Sequence, residues 1–243
     1  MRLPFLDKTS PFPPTSQALT AAQGANGLLA AGADLSVARL VNAYSHGIFP
    51  WYSEGEPLLW WTPSPRMVLQ LNNFKITRSL RKTLARCTKQ TEWRFTMDHA
   101  FPRVISACAA PREEQGGTWI VQDMQEAYLR LHKHGIAHSI ESWFCGELVG
   151  GLYLVSIGHM VFGESMFSHK TDASKMALAH LVSWLLPQGV KVIDCQQNTR
   201  HLASLGAAEM PRETFEQLVN EGVSLPALNW APQVLEIDHD KAE

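Results

Sequence analysis

The sequence predicts an α+β protein, with a small N-terminal domain followed by a larger domain in which helices flank a mixed sheet. Three apolar segments, 137–144, 148–157 and 160–167, are separated by short polar turns, a pattern typical of an antiparallel strand meander. The next segment, 172–186, has its apolar residues at helical spacing. A further apolar strand, 190–195, follows that helix.

The order of these elements, a meander followed by a helix and a strand, is typical of acetyltransferase-like (GNAT-type) folds. A chain of 243 residues can bury a substantial core, as one large domain or two smaller ones. We predict two domains: a small N-terminal domain over residues 1–70 and an acetyltransferase-like catalytic domain over residues 71–243.

Composition excludes several classes of function. The chain is 45% apolar and 18% charged, with a formal net charge of −2, so any contact with nucleic acid must come from a local basic patch. The four cysteines lack the close spacing of metal ligands, and the N-terminus lacks the apolar core of a signal peptide. We therefore expect a reduced, cytoplasmic protein. No apolar run approaches the length that spans a membrane.

The N-terminal region carries weaker signals. Residues 1–26 are rich in Pro and small polar residues, which predicts an extended arm rather than a packed element. Asp34 precedes a short amphipathic pattern, as expected of a capped helix. Trp51, Trp60 and Trp61 then cluster in a loop-rich stretch. Such rings either close a small core or stack on a nucleobase, a contact worth about 1–3 kcal/mol per base.

A basic helix is predicted within residues 75–89, where Ile76, Leu80 and Leu84 form an apolar stripe. The segment has no acidic residue, and its cations share much of one surface. Solvated helix faces usually mix charges of both signs, so a single-sign face favours contact with a phosphate backbone such as that of RNA. The residues assigned to this contact are Lys75, Arg78, Arg81, Lys82 and Arg86.

Two further helices are predicted before the meander. The first follows Asp98, its expected N-cap, and has apolar residues at positions i, i+3, i+4 and i+7. The second ends at Gly135. Trp119 lies where the loop between them joins the second helix and is a candidate for either binding or packing. In the tail, a helical turn near 199–205 and a helix over about 211–220 are predicted.

Polar residues near the ends of two predicted strands indicate an active site. Asp194 and Gln196 are two positions apart, so strand alternation places their side chains on one face. Glu164 interrupts an apolar strand at the edge of buried surface. Burial and hydrogen-bond partners at such a position shift the pKa of a carboxyl group, as is common at functional sites. Each of these residues is also compatible with an ordinary turn or loop cap. Together they predict a place for chemistry or binding.

Eight short motifs between about residues 27 and 212 resemble the leucyl/phenylalanyl-tRNA–protein transferase family, and they occur in the family's order. They are GIFPW (47–51), WWTPSPR (60–66), GTWI (117–120), AHSIE (137–141), GESMFS (163–168), DASK (172–175), IDCQ (193–196) and ASLGA (203–207). Eight spaced motifs are far more specific than one. The family it resembles has an acetyltransferase-like domain, in agreement with the predicted fold.

The resemblance implies transfer of leucine or phenylalanine, with methionine as a further candidate, from aminoacyl-tRNA to the α-amino group of proteins that begin with Arg or Lys. This transfer marks the acceptor for degradation in the N-degron pathway. The implied partners are leucyl-tRNA, phenylalanyl-tRNA and the acceptor proteins, and we expect a monomer. The ester is already activated, so the chemistry requires no cofactor and no metal.

The resemblance also implies roles for individual residues. Asp194 would accept a hydrogen bond from the attacking amine or orient it, and Gln196 would fix the carbonyl or stabilise the oxyanion. Glu164 would hold a cationic group of the acceptor. Trp51 and Trp119 are candidates for the terminal adenosine of the tRNA. The expected pocket for the aminoacyl side chain, some of whose members would also suit an ordinary core, consists of Leu152, Val161, Leu178, Leu181, Leu185 and Ile193.

Four alternatives remain at the level of sequence. A coenzyme-A-dependent acyltransferase fits the fold, but no glycine-rich pyrophosphate loop precedes helix 172–186. A metal hydrolase could use some of the ten histidines, but no HExxH motif is present. Cys195 is a conceivable nucleophile, although buried strand cysteines are usually inert. A non-catalytic tRNA-binding protein would keep its function after loss of Asp194 or Gln196.

Overall fold

A computed structural model describes residues 3–87, 89–110 and 120–237. The helices in these ranges are α1 (Val37–Tyr44), α2 (Arg78–Cys87), α3 (Phe101–Ala109), α4 (Gln122–Lys133), α5 (Ala173–Leu185), α6 (Arg200–Ser204) and α7 (Arg212–Val223). The strands are β1 (Phe5–Leu6), β2 (Leu28–Gly32), β3 (Phe49–Pro50), β4 (Leu59–Trp61), β5 (Arg66–Gln70), β6 (Trp93–Met97), β7 (Ala137–Phe144), β8 (Glu147–Ile157), β9 (Met160–Ser168), β10 (Val192–Asp194), β11 (Ala208–Met210) and β12 (Gln233–Val234). The predicted α+β class is confirmed.

The described strands form two sheets. The smaller has the order β1-β2-β4-β3, and the larger has the order β11-β5-β10-β9-β8-β7-β6-β12. In the larger sheet β10 runs parallel to β9 and antiparallel to β5, and the other neighbouring pairs are antiparallel. The prediction of a mixed sheet is therefore confirmed.

The predicted meander, helix and strand all occur in the large sheet. β7, β8 and β9 pair in sequence order, α5 follows, and β10 returns beside β9. The turn between β8 and β9 requires glycine: Gly158 has φ +58, and a Cβ there would lie 2.3 Å from the carbonyl oxygen of Gly222. This succession of elements is the acetyltransferase-like arrangement that the sequence predicts.

Helices cover both faces of the large sheet. On one face α3 and α4 share a core with α1 and α7, and this first core includes Tyr128 and Phe162. On the other face α2 and α5 form a second core, which includes Leu84 and Leu181. Neighbouring residues of β9 alternate between the two, with Phe162 in the first core and Val161 in the second, because strand side chains alternate faces.

The N-terminal arm is more ordered than predicted. Phe5–Leu6 forms β1, which pairs in parallel with β2, and Leu6 is buried. Phe12 packs edge-on against the buried Trp60, with 4.8 Å between ring centroids. Arg39 of α1 donates a hydrogen bond to a carbonyl oxygen of the arm at 2.8 Å. The prediction of an unpacked arm was wrong, because its few apolar side chains pack against partners that are distant in sequence.

Two predicted helix caps were also wrong. The N-cap of α1 is Ser36, and Asp34 instead accepts a hydrogen bond from the N–H of Ser36 at 2.8 Å. Asp98 does not cap α3. Its carboxylate accepts a hydrogen bond from the N–H of Ser139 and contacts the imidazole of His138, so it fastens the end of β6 to β7. Each aspartate accepts a hydrogen bond from a backbone N–H, but neither is the N-cap of the helix that follows it.

Two expectations concern the chain as a whole. β5, which falls within the predicted N-terminal domain, lies inside the large sheet between β11 and β10. The division at residue 70 stays a prediction. Across the described ranges, no helix combines the length and the apolar character that a membrane crossing needs.

Candidate active site

The strands β9 and β10 separate at a fork in the large sheet. They pair in parallel at two positions, after which β10 ends at Asp194 while β9 continues beside β8. A pocket of about 380 Å³ opens in this fork, lined by residues 163–166 of β9 and by residues 194–196. The fork thereby brings together three residues that the sequence predicts for the site, Glu164, Asp194 and Gln196.

Apolar side chains form much of the pocket wall. Four of the six residues predicted for the aminoacyl pocket line it, namely Leu152, Leu178, Leu181 and Ile193. The other two, Val161 and Leu185, are fully buried in the second core instead. Further apolar lining that the sequence analysis did not single out comes from Leu69, Leu154, Met166 and Leu202. A lining of this kind suits one apolar side chain of a ligand.

Two tyrosines from different helices hold the carboxyl group of Glu164. Tyr44 of α1 donates a hydrogen bond to Oε1 at 2.7 Å, and Tyr128 of α4 donates to Oε2 at 2.8 Å. The two hydroxyl oxygens are 2.5 Å apart. Both tyrosines are fully buried, whereas Glu164 is half-buried and lines the pocket. Desolvation raises the pKa of Glu164 to about 7, although the tyrosine hydrogen bonds act to lower it.

Asp194 is engaged by a buried arginine. Arg66 of β5 donates from Nε to Oδ1 at 2.8 Å and from Nη2 to Oδ2 at 2.6 Å, and both side chains are fully buried. The guanidinium also lies over the rings of Phe49 and Phe215 and donates to the carbonyl oxygen of Gly47. Both carboxylate oxygens of Asp194 are thus engaged by Arg66. The two roles predicted for Asp194, to accept a hydrogen bond from the attacking amine or to orient it, stay predictions.

Gln196 reaches the pocket through a turn. It follows the end of β10 in the left-handed region, with φ +53, so the turn rather than strand alternation places it there. Its N–H donates to Oδ1 of Asp194 at 3.0 Å, and the buried ion pair thereby fixes the turn. Its side-chain Nε2 is buried and has no hydrogen-bond partner in the described part of the chain. A buried donor without a partner destabilises the folded protein unless a ligand accepts its hydrogen bond.

Trp51, one of the two tryptophans predicted to bind the adenosine, lies beside a second tryptophan. Trp51 is 36% exposed, and its ring lies edge-on to Trp61 with 5.4 Å between centroids. Trp61 Nε1 donates to the carbonyl oxygen of Trp51 at 2.6 Å, which fixes the backbone there. Trp60 is a core residue, fully buried. Trp119 lies outside the described residues, and the adenosine role of both Trp51 and Trp119 stays a prediction.

The predicted basic face is present on and beside α2. Its five cationic residues are all exposed: Lys75, Arg78, Arg81, Lys82 and Arg86. The opposite side of α2 buries Leu80, Leu84 and Cys87. Within the residues that the structure describes, none of the five cations forms an ion pair with an acidic side chain. Contact with a tRNA backbone stays a prediction for this surface.

One group of potential metal ligands occurs in the described ranges. Asp98, His132 and His138 have ligand atoms within 4.8 Å of one another. Asp98 contacts Nδ1 of His138 at 2.6 Å, and Nε2 of His138 contacts the carbonyl oxygen of Gly135. His132 Nδ1 contacts the carbonyl oxygen of Ala137 at 2.8 Å. Each member of the group thus makes a hydrogen bond within the protein, and none of the three lines the fork pocket.

Sequence reasoning missed several residues of this site. Tyr44 and Tyr128 lie on apolar helix faces, where they resemble ordinary core residues. Tyr153 lies in an apolar strand; it lines the pocket, and its buried hydroxyl has no partner in the described ranges. Arg66 was the detectable one, because it is a single charge at the start of an apolar strand. Only the fold shows that Arg66 meets Asp194.

Fold and site together define a class of protein. This is an acetyltransferase-like chain whose apolar pocket, in the fork of the sheet, opens onto the carboxyl group of Glu164 and the side-chain amide of Gln196. Such a site is suited to transfer of an apolar acyl group. The sequence pattern of the leucyl/phenylalanyl-tRNA protein transferase family matches residues 68–220, and the pattern of that family's N-terminal domain matches residues 33–64. The chain belongs to the leucyl/phenylalanyl-tRNA protein transferase family.

Individual relatives agree with this assignment. The chain is 56% identical over 229 residues to the leucyl/phenylalanyl-tRNA–protein transferase of Paraburkholderia phytofirmans, covering 94% of each chain. It is 52% identical over 244 residues to the protein of the same name from Janthinobacterium sp., covering 98% of this chain and 100% of that one. The resemblance found in the sequence motifs is confirmed by these two relatives. Among solved structures, L-PGS from Bacillus licheniformis gives a TM-score of 0.39 at 12% identity, over 88% of this chain and 67% of that chain.

Proposed function

We propose that this chain transfers leucine or phenylalanine, with methionine as a further candidate, from its tRNA to the α-amino group of a protein that begins with Arg or Lys. The transfer would mark the acceptor for degradation. One observation carries the proposal: an apolar pocket of about 380 Å³ that opens onto Glu164 and Gln196. The donor follows from the family, whose members are named for leucyl- and phenylalanyl-tRNA.

The donor is held at three places. Its amino-acid side chain enters the apolar part of the fork beside Leu152, Leu178 and Leu181, which rejects charged side chains because unpaired charges are costly to desolvate. Its terminal adenosine stacks on Trp51 and Trp119. Its phosphates contact the exposed cations of α2.

The reaction is attack of an amine on an ester. Gln196 carries a buried, unpaired Nε2 that can donate to the oxyanion formed on the carbonyl oxygen. Glu164 presents a carboxyl group that can hold a cationic group of the acceptor, either its α-ammonium or its Arg or Lys side chain. Asp194 and Arg66 hold the turn that carries Gln196. Since the ester is already activated, positioning and charge stabilisation are sufficient.

The rival readings receive less support. Burial raises the pKa of the Cys195 thiol to about 12, so a nucleophilic thiolate is scarce at neutral pH. A purely RNA-binding protein has no need of an apolar pocket beside an unpaired amide. A cytoplasmic location and a monomeric state remain parts of the proposal.

The direct test is transfer of radiolabelled leucine from charged tRNA to a peptide that begins with Arg. A matched peptide that begins with Ala is the control. Label on the Arg peptide alone supports the proposal and its acceptor specificity. Label on neither peptide, with tRNA still bound, would favour a non-catalytic tRNA-binding protein.

A further inference from the structure

We infer that Glu164, held by Tyr44 and Tyr128, takes the proton from the α-ammonium group of the acceptor. The inference rests on the proposed function and adds to it the proton acceptor. Glu164 lines the fork pocket and can reach a substrate. Tyr44 and Tyr128 are fully buried beside it, so they are positioning residues that act through its carboxyl group.

The oxygen atoms of these three residues form a closed ring. Glu164 Oε1 to Tyr44 Oη is 2.7 Å, Tyr44 Oη to Tyr128 Oη is 2.5 Å, and Tyr128 Oη to Glu164 Oε2 is 2.8 Å. An ionised Glu164 brings no proton, so two hydroxyl protons must serve three contacts. One more proton on Glu164 gives every contact its own hydrogen bond. The ring therefore has a place for a single additional proton.

Other ionisable groups also act on Glu164. The charge of Asp194 on β10 favours its neutral form, and the charge of Arg66 on β5 favours its ionised form. Because Asp194 and Arg66 form a bidentate pair, these two influences oppose each other. Tyr153 of β8 adds a buried neutral hydroxyl, and its pKa is raised by burial and by Glu164. Burial is thus the main influence on the pKa of Glu164, which lies at about 7.

This value suits the transfer of a proton from an α-amino group. Such a group has a pKa of about 8, so moving its proton to Glu164 is disfavoured only about tenfold. Transfer to an ordinary glutamate, with a pKa of about 4.3, would be disfavoured by roughly several thousandfold. The reason is that this pKa lies about 3.7 units below the pKa of the α-amino group. A base matched to its substrate in this way is what general base catalysis requires.

In this step the acceptor nitrogen replaces the ribose oxygen on the ester carbon. The acceptor ammonium gives one proton to the Glu164 carboxylate, and the freed nitrogen bonds to the ester carbon. The nitrogen loses a second proton as the bond between that carbon and the ribose oxygen breaks. The ribose oxygen ends as a hydroxyl group, and one proton is released to water overall. The products are an amide and the uncharged tRNA.

The test is the pH dependence of kcat/KM for the Arg peptide at saturating leucyl-tRNA. In the unaltered protein the rate should fall on the acid side of pH about 7, because Glu164 must be ionised to accept a proton. Tyr44→Phe and Tyr128→Phe each remove a charge-assisted bond to the carboxylate, a larger loss than the neutral bond lost from the acid form. The acid limb should therefore move up by roughly 0.5–1 pH unit.

Two further variants sharpen the result. Glu164→Gln should lower kcat/KM by about 10²–10⁴ at pH 8 and abolish the limb. Tyr52→Phe is the matched control, because that tyrosine makes no hydrogen bond to Glu164, and its limb should stay in place. Unmoved limbs in both Tyr44→Phe and Tyr128→Phe, or Glu164→Gln within threefold of the unaltered rate, would overturn the inference. If the unaltered protein transfers nothing, the proposed function itself fails.

Discussion

Burying the ion pair of Arg66 and Asp194 costs free energy of desolvation, and removing one partner is strongly destabilising. Removing one partner leaves the other charge without its bidentate contact in a fully buried position. We expect Asp194→Ala to lower the free energy of unfolding by about 3–5 kcal/mol, measured by urea denaturation. Lys191→Ala, which breaks an exposed pair with Glu221, should cost less than about 1 kcal/mol. Equal effects of the two substitutions would contradict the structural role.

A double variant separates this structural role from function. Arg66→Met with Asp194→Leu replaces both charges by apolar side chains and should recover part of the lost stability. It leaves the N–H of Gln196 without its carboxylate acceptor. We therefore expect a folded protein that transfers poorly, and wild-type transfer by the double variant would show that the pair does not act on Gln196.

Burial of Glu164 should make the free energy of unfolding depend on pH. Its pKa in the folded state, about 7, lies above the ordinary value of 4.5, so folding favours the neutral form. This residue's contribution to stability is present below pH 4.5 and is lost as pH rises through about 7. Glu164→Gln is neutral throughout, so its stability relative to the unaltered protein should rise by at most about 3 kcal/mol from pH 4.5 to 8. Parallel unfolding curves across that range would refute the shift, and exposed Glu54→Gln is the control.

At the scale of elements, α2 offers the clearest test of RNA contact. Each phosphate contact contributes about 0.7–0.9 to the slope of log affinity against log salt. Arg81→Glu should therefore weaken tRNA binding and reduce that slope by about 1, with little effect on folding, since Arg81 is exposed. Lys133→Glu reverses an exposed charge on α4 and is the matched control. Equal effects of the two reversals would indicate a general charge effect and remove α2 from the interface.

The elements themselves were largely predictable from sequence. The period of apolar residues located β7, β8, β9, α4 and α5, because strand and helix periods differ strongly over segments of this length. Predictions failed where a short segment depends on a distant partner. Phe5–Leu6 becomes a strand only through pairing with β2, and Asp98 meets its partners on β7. The residues neighbouring such a segment in sequence do not predict contacts with distant segments.

At the scale of the whole molecule, the site is assembled from distant parts of the chain. Tyr44 comes from α1, Arg66 from β5, Tyr128 from α4 and Glu164 from β9. The positions of Glu164 and Asp194 near strand ends allowed their prediction as site residues. Tyrosines on apolar helix faces, in contrast, are indistinguishable in sequence from ordinary core residues. The N-terminal third of the chain thus supplies the buried side chains that hold Glu164 and Asp194 at the fork, and no single segment of the sequence reveals this.

The most direct test of the account is to fill and to enlarge the fork pocket at Leu178. We expect Leu178→Trp to lose transfer of both leucine and phenylalanine by at least about a hundredfold while tRNA affinity is kept, because α2 is untouched. Leu178→Ala should still transfer and should raise phenylalanine relative to leucine by up to roughly tenfold. Thermal melting checks that both variants fold. Transfer rates and amino-acid preference unchanged in both variants would show that the aminoacyl group binds elsewhere.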